Sequence, residues 1–201
     1  MRNKGLKNGF TLIEILISLG IFALLLGIIV NGFMSTKKIE NIKQGALELV
    51  TNIQKAQNLA LTGISHNNAV PVGGYGVHLN NLASQYNIFA DFYSSDANCN
   101  ASQLDGKSDE KYNCAKEDYA IINLPAGVSI CKIGSGASSA PSLDLAFKAP
   151  EYRPYINGLL GGTTQIILKM NDANVCRKVT VQDIAGRASE QVIKCTDAGC
   201  P

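Results

Sequence analysis

Residues Ile15 to Thr36 form 22 consecutive positions without a charge, and this run sets the first limit on what the 201-residue chain can fold into. A helix of ~20 apolar residues is long enough to cross a bilayer. No proline precedes Pro71, so nothing forces a break in such a helix. The nine residues ahead of Phe10 are polar and carry three cations, Arg2, Lys4 and Lys7. A secretory signal peptide begins the same way, but its apolar stretch runs ~7–15 residues and closes on a small-residue cleavage site. The longer run here, with no Ala-x-Ala at its end, favours a retained helix over 10–36 that crosses the membrane once. Lysines stand on both sides of it (Lys37, Lys38 and Lys43 follow), so the charge rule does not orient the span.

Glu14 is the exception inside this segment. A carboxylate costs ~2.5–3.5 kcal/mol at a bilayer centre and less near the edge. Intramembrane acids are usually paired and functional. The competing explanation is a place at the helix start, where the dipole favours a negative charge.

The residues around it carry a more specific pattern. Lys7-Asn8-Gly9-Phe10-Thr11-Leu12-Ile13-Glu14, followed by the apolar run, resembles the type IV prepilin signal, the class III signal peptide. The resemblance implies that a prepilin peptidase cuts between Gly9 and Phe10 and methylates the new amine of Phe10. It also implies that Glu14 serves assembly by neutralising the Phe10 amine of a neighbouring subunit. Gly9 suits a scissile position because it has no Cβ, and neither charge is comfortable unpaired in apolar surroundings. Loss of residues 1–9 leaves 15 cations against 16 anions. The family's fold is a pilin-like α+β arrangement. Its partners are other pilin or pseudopilin subunits, the membrane and an inner-membrane assembly platform. Its products are type IV pili and the pseudopili of type II protein secretion. The location implied is the bacterial inner membrane, with the C-terminal domain outside the cytoplasm, and then the filament.

Beyond the apolar run, Ile39, Ile42, Ala46, Leu49, Ile53, Ala56 and Ala60 recur at intervals of 3 and 4, which draws one stripe along a helix. Leu47, Val50, Leu59 and Leu61 broaden it, and Gly63 supplies a stop. One helix from Phe10 to Thr62 would be roughly 80 Å long at ~1.5 Å per residue. A coiled coil is the alternative use of the stripe. Packing on the chain's own sheet is preferred, because the stripe is short and Ala-rich and β-like sequence follows directly. Asn31-Gly32 is its weakest point, since a glycine costs ~1 kcal/mol in a helix.

The expected organisation is therefore a leader over 1–9, a membrane-spanning and filament-core helix over 10–36, its amphipathic continuation over 37–62, and an extracytoplasmic β-rich domain over 63–201. Strand-like runs occur at 76–79, 86–92, 119–124, 128–133, 142–147, 164–169, 177–181 and 188–194. Turn chemistry such as Pro125-Ala-Gly127 and Ala185-Gly186 separates them. Residues 93–118 read as a long polar loop, and 134–141 and 157–163 as connectors. The order predicts one long helix packed on an antiparallel sheet. Gln54 to Gly63, Leu124-Pro-Ala-Gly-Val128, the Phe147 strand and Arg177 to Val181 before Gly186-Arg187 resemble the H-type minor pseudopilins and FimT-like minor pilins. That resemblance implies a minor, tip-associated subunit.

Six cysteines, Cys99, Cys114, Cys131, Cys176, Cys195 and Cys200, all follow the apolar segment. The even number suits up to three disulfides in an oxidising space. A hairpin turning at Ala185-Gly186 would set Cys176 opposite Cys195, Cys99–Cys114 would close the polar loop, and Cys195–Cys200 is a rival pairing. No Cys-x2-Cys is present, and His66 and His78 stand apart from the cysteines, so no metal is expected. Nucleophile-elbow, phosphate-loop, dinucleotide and zinc-protease motifs are all lacking. No catalytic residue, cofactor or enzyme activity is predicted. The formal net charge of +2 is too small for a nucleic-acid binder by bulk charge. Tyr152, Arg153 and Tyr155, with Lys148, could make a small stacking and cationic patch for DNA, but loop surface or interface packing is the preferred reading of them; a DNA-uptake minor pilin is one rival reading of the chain. A membrane-anchored binding protein outside any filament is the other rival.

Overall fold

The computed structural model describes residues 11–92, 108–134, 139–151, 153–171, 174–183, 186–198 and 200, without the side chains of 29–35, 197 and 198. By contacts the chain divides into residues 1–37 and 38–201. Helix α1, Leu12–Thr62, carries residues of both.

In the first unit, every described side chain from Leu12 to Ile28 is exposed. The expected span over 10–36 is corrected: among the described residues no helix is long and apolar enough to cross a membrane. Glu14 and Ser18 interrupt the described apolar side chains near the start of α1. The inner-membrane placement that rested on the span goes with it.

In the second unit, Ile42, Ala46, Leu49, Ile53 and Ala56 are completely buried, and Leu59 and Ala60 nearly so. The 3.6-residue period puts these side chains on one face. Ile39, Leu47 and Leu61, expected in the stripe, are exposed. Gly63 ends the helix in the left-handed conformation at φ +62°, the usual helix stop.

Among the described residues ten strands follow: β1 Tyr75–Asn80, β2 Gln85–Ala90, β3 Asp118–Asn123, β4 Val128–Gly134, β5 Ser142–Phe147, β6 Tyr155–Ile156, β7 Leu159–Leu160, β8 Thr164–Met170, β9 Cys176–Val181 and β10 Ala188–Ile193. A 3-10 turn at Ala115–Glu117 precedes β3, and a one-turn helix α2 at Cys195–Ala198 follows β10. The expectation of one sheet is corrected. The strands form two sheets, in the orders β3-β2-β1-β5-β6-β7 and β10-β9-β8-β4, with antiparallel pairing throughout. The 157–163 connector also holds β7, so that β6 and β7 make a short hairpin.

The inner faces of both sheets and the helix stripe share one core, including Val77, Leu79, Ile88, Leu145, Ile130, Ile166, Leu168 and Val179. Alternation along each strand gives this, because successive side chains point to opposite faces. Strand β4 breaks the rule. Ile130 faces Leu168 and Lys132 faces Ile167, so the register skips Cys131. The bulge keeps Ile130 and Ile133 both in the core. Asn52 Nδ2 donates to the Tyr86 hydroxyl at 2.8 Å, and Asn41 Nδ2 to the Ala126 carbonyl at 3.2 Å. These bonds fix the rotation of the helix over the first sheet and the β3–β4 turn. Ile53→Ala is expected to cost ~2–5 kcal/mol in chemical denaturation. Leu47→Ala, on the exposed face, is expected to change stability by less than ~0.5 kcal/mol.

Candidate functional site

The start of α1 is built by its own sequence. Thr11 is the N-cap. Its carbonyl accepts the backbone N–H of Glu14 at 3.1 Å and of Ile15 at 3.3 Å, and its Oγ1 accepts the Glu14 N–H at 3.3 Å. Thr11-Leu-Ile-Glu14 is thus the Thr-x-x-Glu arrangement of a helix start. Glu14 sits in the first turn, where the partial positive charge of the unpaired N–H groups favours an anion. It is exposed. Gly9 and Phe10, the expected cleavage and methylation positions, lie outside the described residues.

Behind Glu14, Leu12, Ile13, Leu16, Ile17, Leu19, Phe22, Leu24 and Ile28 are each 56–78% exposed. Monomeric proteins rarely leave so much contiguous apolar surface in water. The arrangement is therefore one carboxylate at the head of a helix that is apolar on all sides. A helix of this kind is suited to burial among other apolar surfaces.

The cysteines are the second group of expected residues. Cys176 is joined to Cys195 and Cys131 to Cys200, with Cα separations of 5.1 and 5.9 Å. Cys176, Cys195 and Cys200 gather around Ile167, away from the main core. The β4 bulge at Cys131 and the passage through α2 bring the chain end to the same place. The Cys195–Cys200 rival is thereby excluded, and Cys99, in the loop pairing, lies outside the described residues.

The cationic patch does not survive as one. Arg153 makes two bonds of 2.9 Å to the Asp183 carboxylate. Lys148 Nζ reaches Glu110 Oε1 at 3.1 Å and Ser108 Oγ at 3.3 Å. Tyr152 lies outside the described residues. Both cations are matched by acids of the same chain, so little positive field remains for a phosphate backbone.

Sequence reasoning missed the polar row on the outer face of the first sheet. His78 on β1 faces Asp144 on β5 and Asn87 on β2, and its Nδ1 lies 2.6 Å from Asp144 Oδ1. Asn87 Nδ2 donates to Asp118 Oδ1 at 2.7 Å. The Tyr112 ring covers His78 at 4.5 Å and meets the buried Phe89 at 5.8 Å. Burial first, then Asp118, pushes the Tyr112 phenol up to about 12. Gly76 is opposite Phe89, and a side chain there would strike the Phe89 ring. Among the described residues no cluster of three or more His, Cys, Asp or Glu side chains is placed to hold a metal.

A family model described as the prokaryotic N-terminal methylation motif matches residues 5–30. No curated protein and no solved structure matches the chain. The N-terminal segment is thus of the prepilin type in general terms, consistent with cleavage and methylation by a peptidase. Peptide mapping without reduction is expected to recover Cys131–Cys200 and Cys176–Cys195 as linked pairs, and recovery of Cys195–Cys200 instead would refute this fold of the C-terminus. Replacing Cys176 and Cys195 together by Ala is expected to cost about 3 kcal/mol, the loop-closure value for a separation near this one.

Proposed function

We propose that this chain is a prepilin-type filament subunit, cut after Gly9, methylated on Phe10 and packed through its N-terminal helix into a type IV pilus or a type II secretion pseudopilus. The observation that carries the reading is the conjunction at the head of α1. The motif match over residues 5–30 runs into the start of α1, where every described apolar side chain from Leu12 to Ile28 is exposed and Glu14 stands in the first turn.

Cleavage after Gly9 makes a cationic amine at Phe10, three residues before Ile13 and four before Glu14. When apolar helices pack side by side, that amine and the Glu14 carboxylate are taken out of water together. An unpaired charge in such surroundings is costly, whereas a paired one is tolerated. Each subunit is then held at the axial stagger that sets its amine beside a neighbour's Glu14. The apolar surface supplies adhesion and the ion pair supplies register. Prepilin peptidase and other subunits of the filament are the partners of this reading.

The test is mass spectrometry of the N-terminal peptide from the native host, with subunit recovery in sheared filaments. A chain beginning at N-methylated Phe10 is expected. A chain that keeps residues 1–9 in cells with active prepilin peptidase would refute the reading. Glu14→Ala is expected to reduce recovery in filaments at least about tenfold while the processed chain still accumulates in cells. Glu14→Asp is expected to recover part of the loss.

A further inference from the structure

Residues 108–117 cross the outer face of the first sheet and are fastened there by buried acids. Asp91, just past β2, is completely buried. Its Oδ2 accepts the backbone N–H of Glu110 at 2.8 Å, and its Oδ1 has no hydrogen-bond partner. Glu117 is also completely buried. It accepts the N–H of Phe92 at 3.1 Å through Oε1 and that of Asn113 at 2.8 Å through Oε2. Gly73 lies against Asp91 so closely that any side chain there would collide with the carboxyl. Lys148, just after β5, reaches Glu110 and Ser108. The charged groups facing Asp91 are therefore Glu117 from the 3-10 turn and Asp109 and Glu110 from the crossing segment, with Lys148 beyond Glu110.

Asp91 and Glu117 are two carboxyls in one buried site, and Lys148 reaches Glu110. An orphan carboxylate oxygen in such a site is costly, and a proton on Asp91 removes the charge. Burial first, and then the charge of Glu117, pushes Asp91 up to about 8, while the Glu110 N–H pulls the other way.

We propose that residues 108–117 are a proton-held strap, closed over the outer face of the first sheet while Asp91 is neutral and released when Asp91 gives up its proton to solvent. Release uncovers Phe89 and the His78–Asp144 pair, which Tyr112 covers in the closed form. The sign follows from linkage. In the lifted strap Asp91 meets water and returns toward the ordinary value of 3.8, whereas in the closed strap it holds its proton to about 8. Opening therefore releases a proton between those values, and the opening constant rises with pH in that window by up to tenfold per unit. Above about pH 8 both forms are ionised and the constant levels.

Hydrogen exchange of the Glu110, Asn113 and Phe92 amides in the purified full-length chain tests this, corrected for the intrinsic base-catalysed rate. Between pH 5 and 8 the opening constant is expected to rise at least about 100-fold and then to level, while the Ile166 and Leu168 amides of β8 keep their protection. Asp91→Asn keeps an acceptor for the Glu110 N–H but cannot ionise, so its opening constant is expected to be flat across the range. A wild-type constant that does not vary with pH would overturn the proposal, as would an equal rise at Ile166 and Leu168. An Asp91→Asn profile as steep as wild type would overturn the assignment to Asp91. The wild-type profile decides the matter alone if that variant does not fold.

Discussion

Burial of one helical stripe is the constraint on which the domain of residues 38–201 depends. Ile42, Ala46, Leu49, Ile53 and Ala56 have no exposed surface, and the inner faces of both sheets close on them. Burying a single Leu or Ile is worth ~1.5–3 kcal/mol, so this stripe outweighs any hydrogen bond or surface ion pair in the domain. It also explains why two sheets coexist without a long seam between them, since each buries its apolar face in a core that includes the same helix. Ala46 and Ala56 add little area. The bulkier Ile42, Leu49 and Ile53 share one buried cluster with Tyr86, Ile88 and the inner side chains of β8 and β9.

Much of this was legible in the sequence. The 3-4 spacing located the buried face, and period-2 alternation found eight of the ten strands close to their bounds. Alternation reports which face a residue takes, however, and not which strand lies beside it. The division into two sheets was therefore hidden, because it depends on pairings such as Tyr75 with Phe147 across 72 positions of chain. The β6–β7 hairpin escaped for a different reason. Its strands have two residues each, and Leu159 and Leu160 are exposed, so no alternation exists to read. Ile39, Leu47 and Leu61 mark the limit of the helical argument. A stripe drawn from apolarity alone cannot say where the partner surface ends.

The N-terminal motif is a string of residues that a sequence displays directly, and the hairpin at Ala185-Gly186 offered the Cys176–Cys195 pairing that the structure holds; the rest of the chemistry was not legible. Gly9, Phe10 and Glu14 stand in a short pattern whose meaning does not depend on tertiary structure. His78 and Asp144 are 66 residues apart and meet only because β1 and β5 are neighbours. The cysteine pairing needed both the β9–β10 register and the bulge at Cys131. The patch considered for a rival DNA-binding reading could not be weighed from the sequence, which shows a cation without its partner. Arg153 and Lys148 are held by Asp183 and Glu110, from elsewhere in the chain.

The treatment of charge differs between the two parts of the molecule. Glu14 is left exposed at the head of an apolar helix that has no cation of its own within the first turn. Under the proposed assembly, a neighbouring subunit covers this segment and supplies the counter-charge. Asp91 and Glu117 are enclosed by their own chain and accept the backbone N–H groups of Glu110, Phe92 and Asn113. Under the proposed assembly and the proposed strap, the exposed carboxylate is directed outward to a neighbouring subunit and the buried pair inward to residues 108–117.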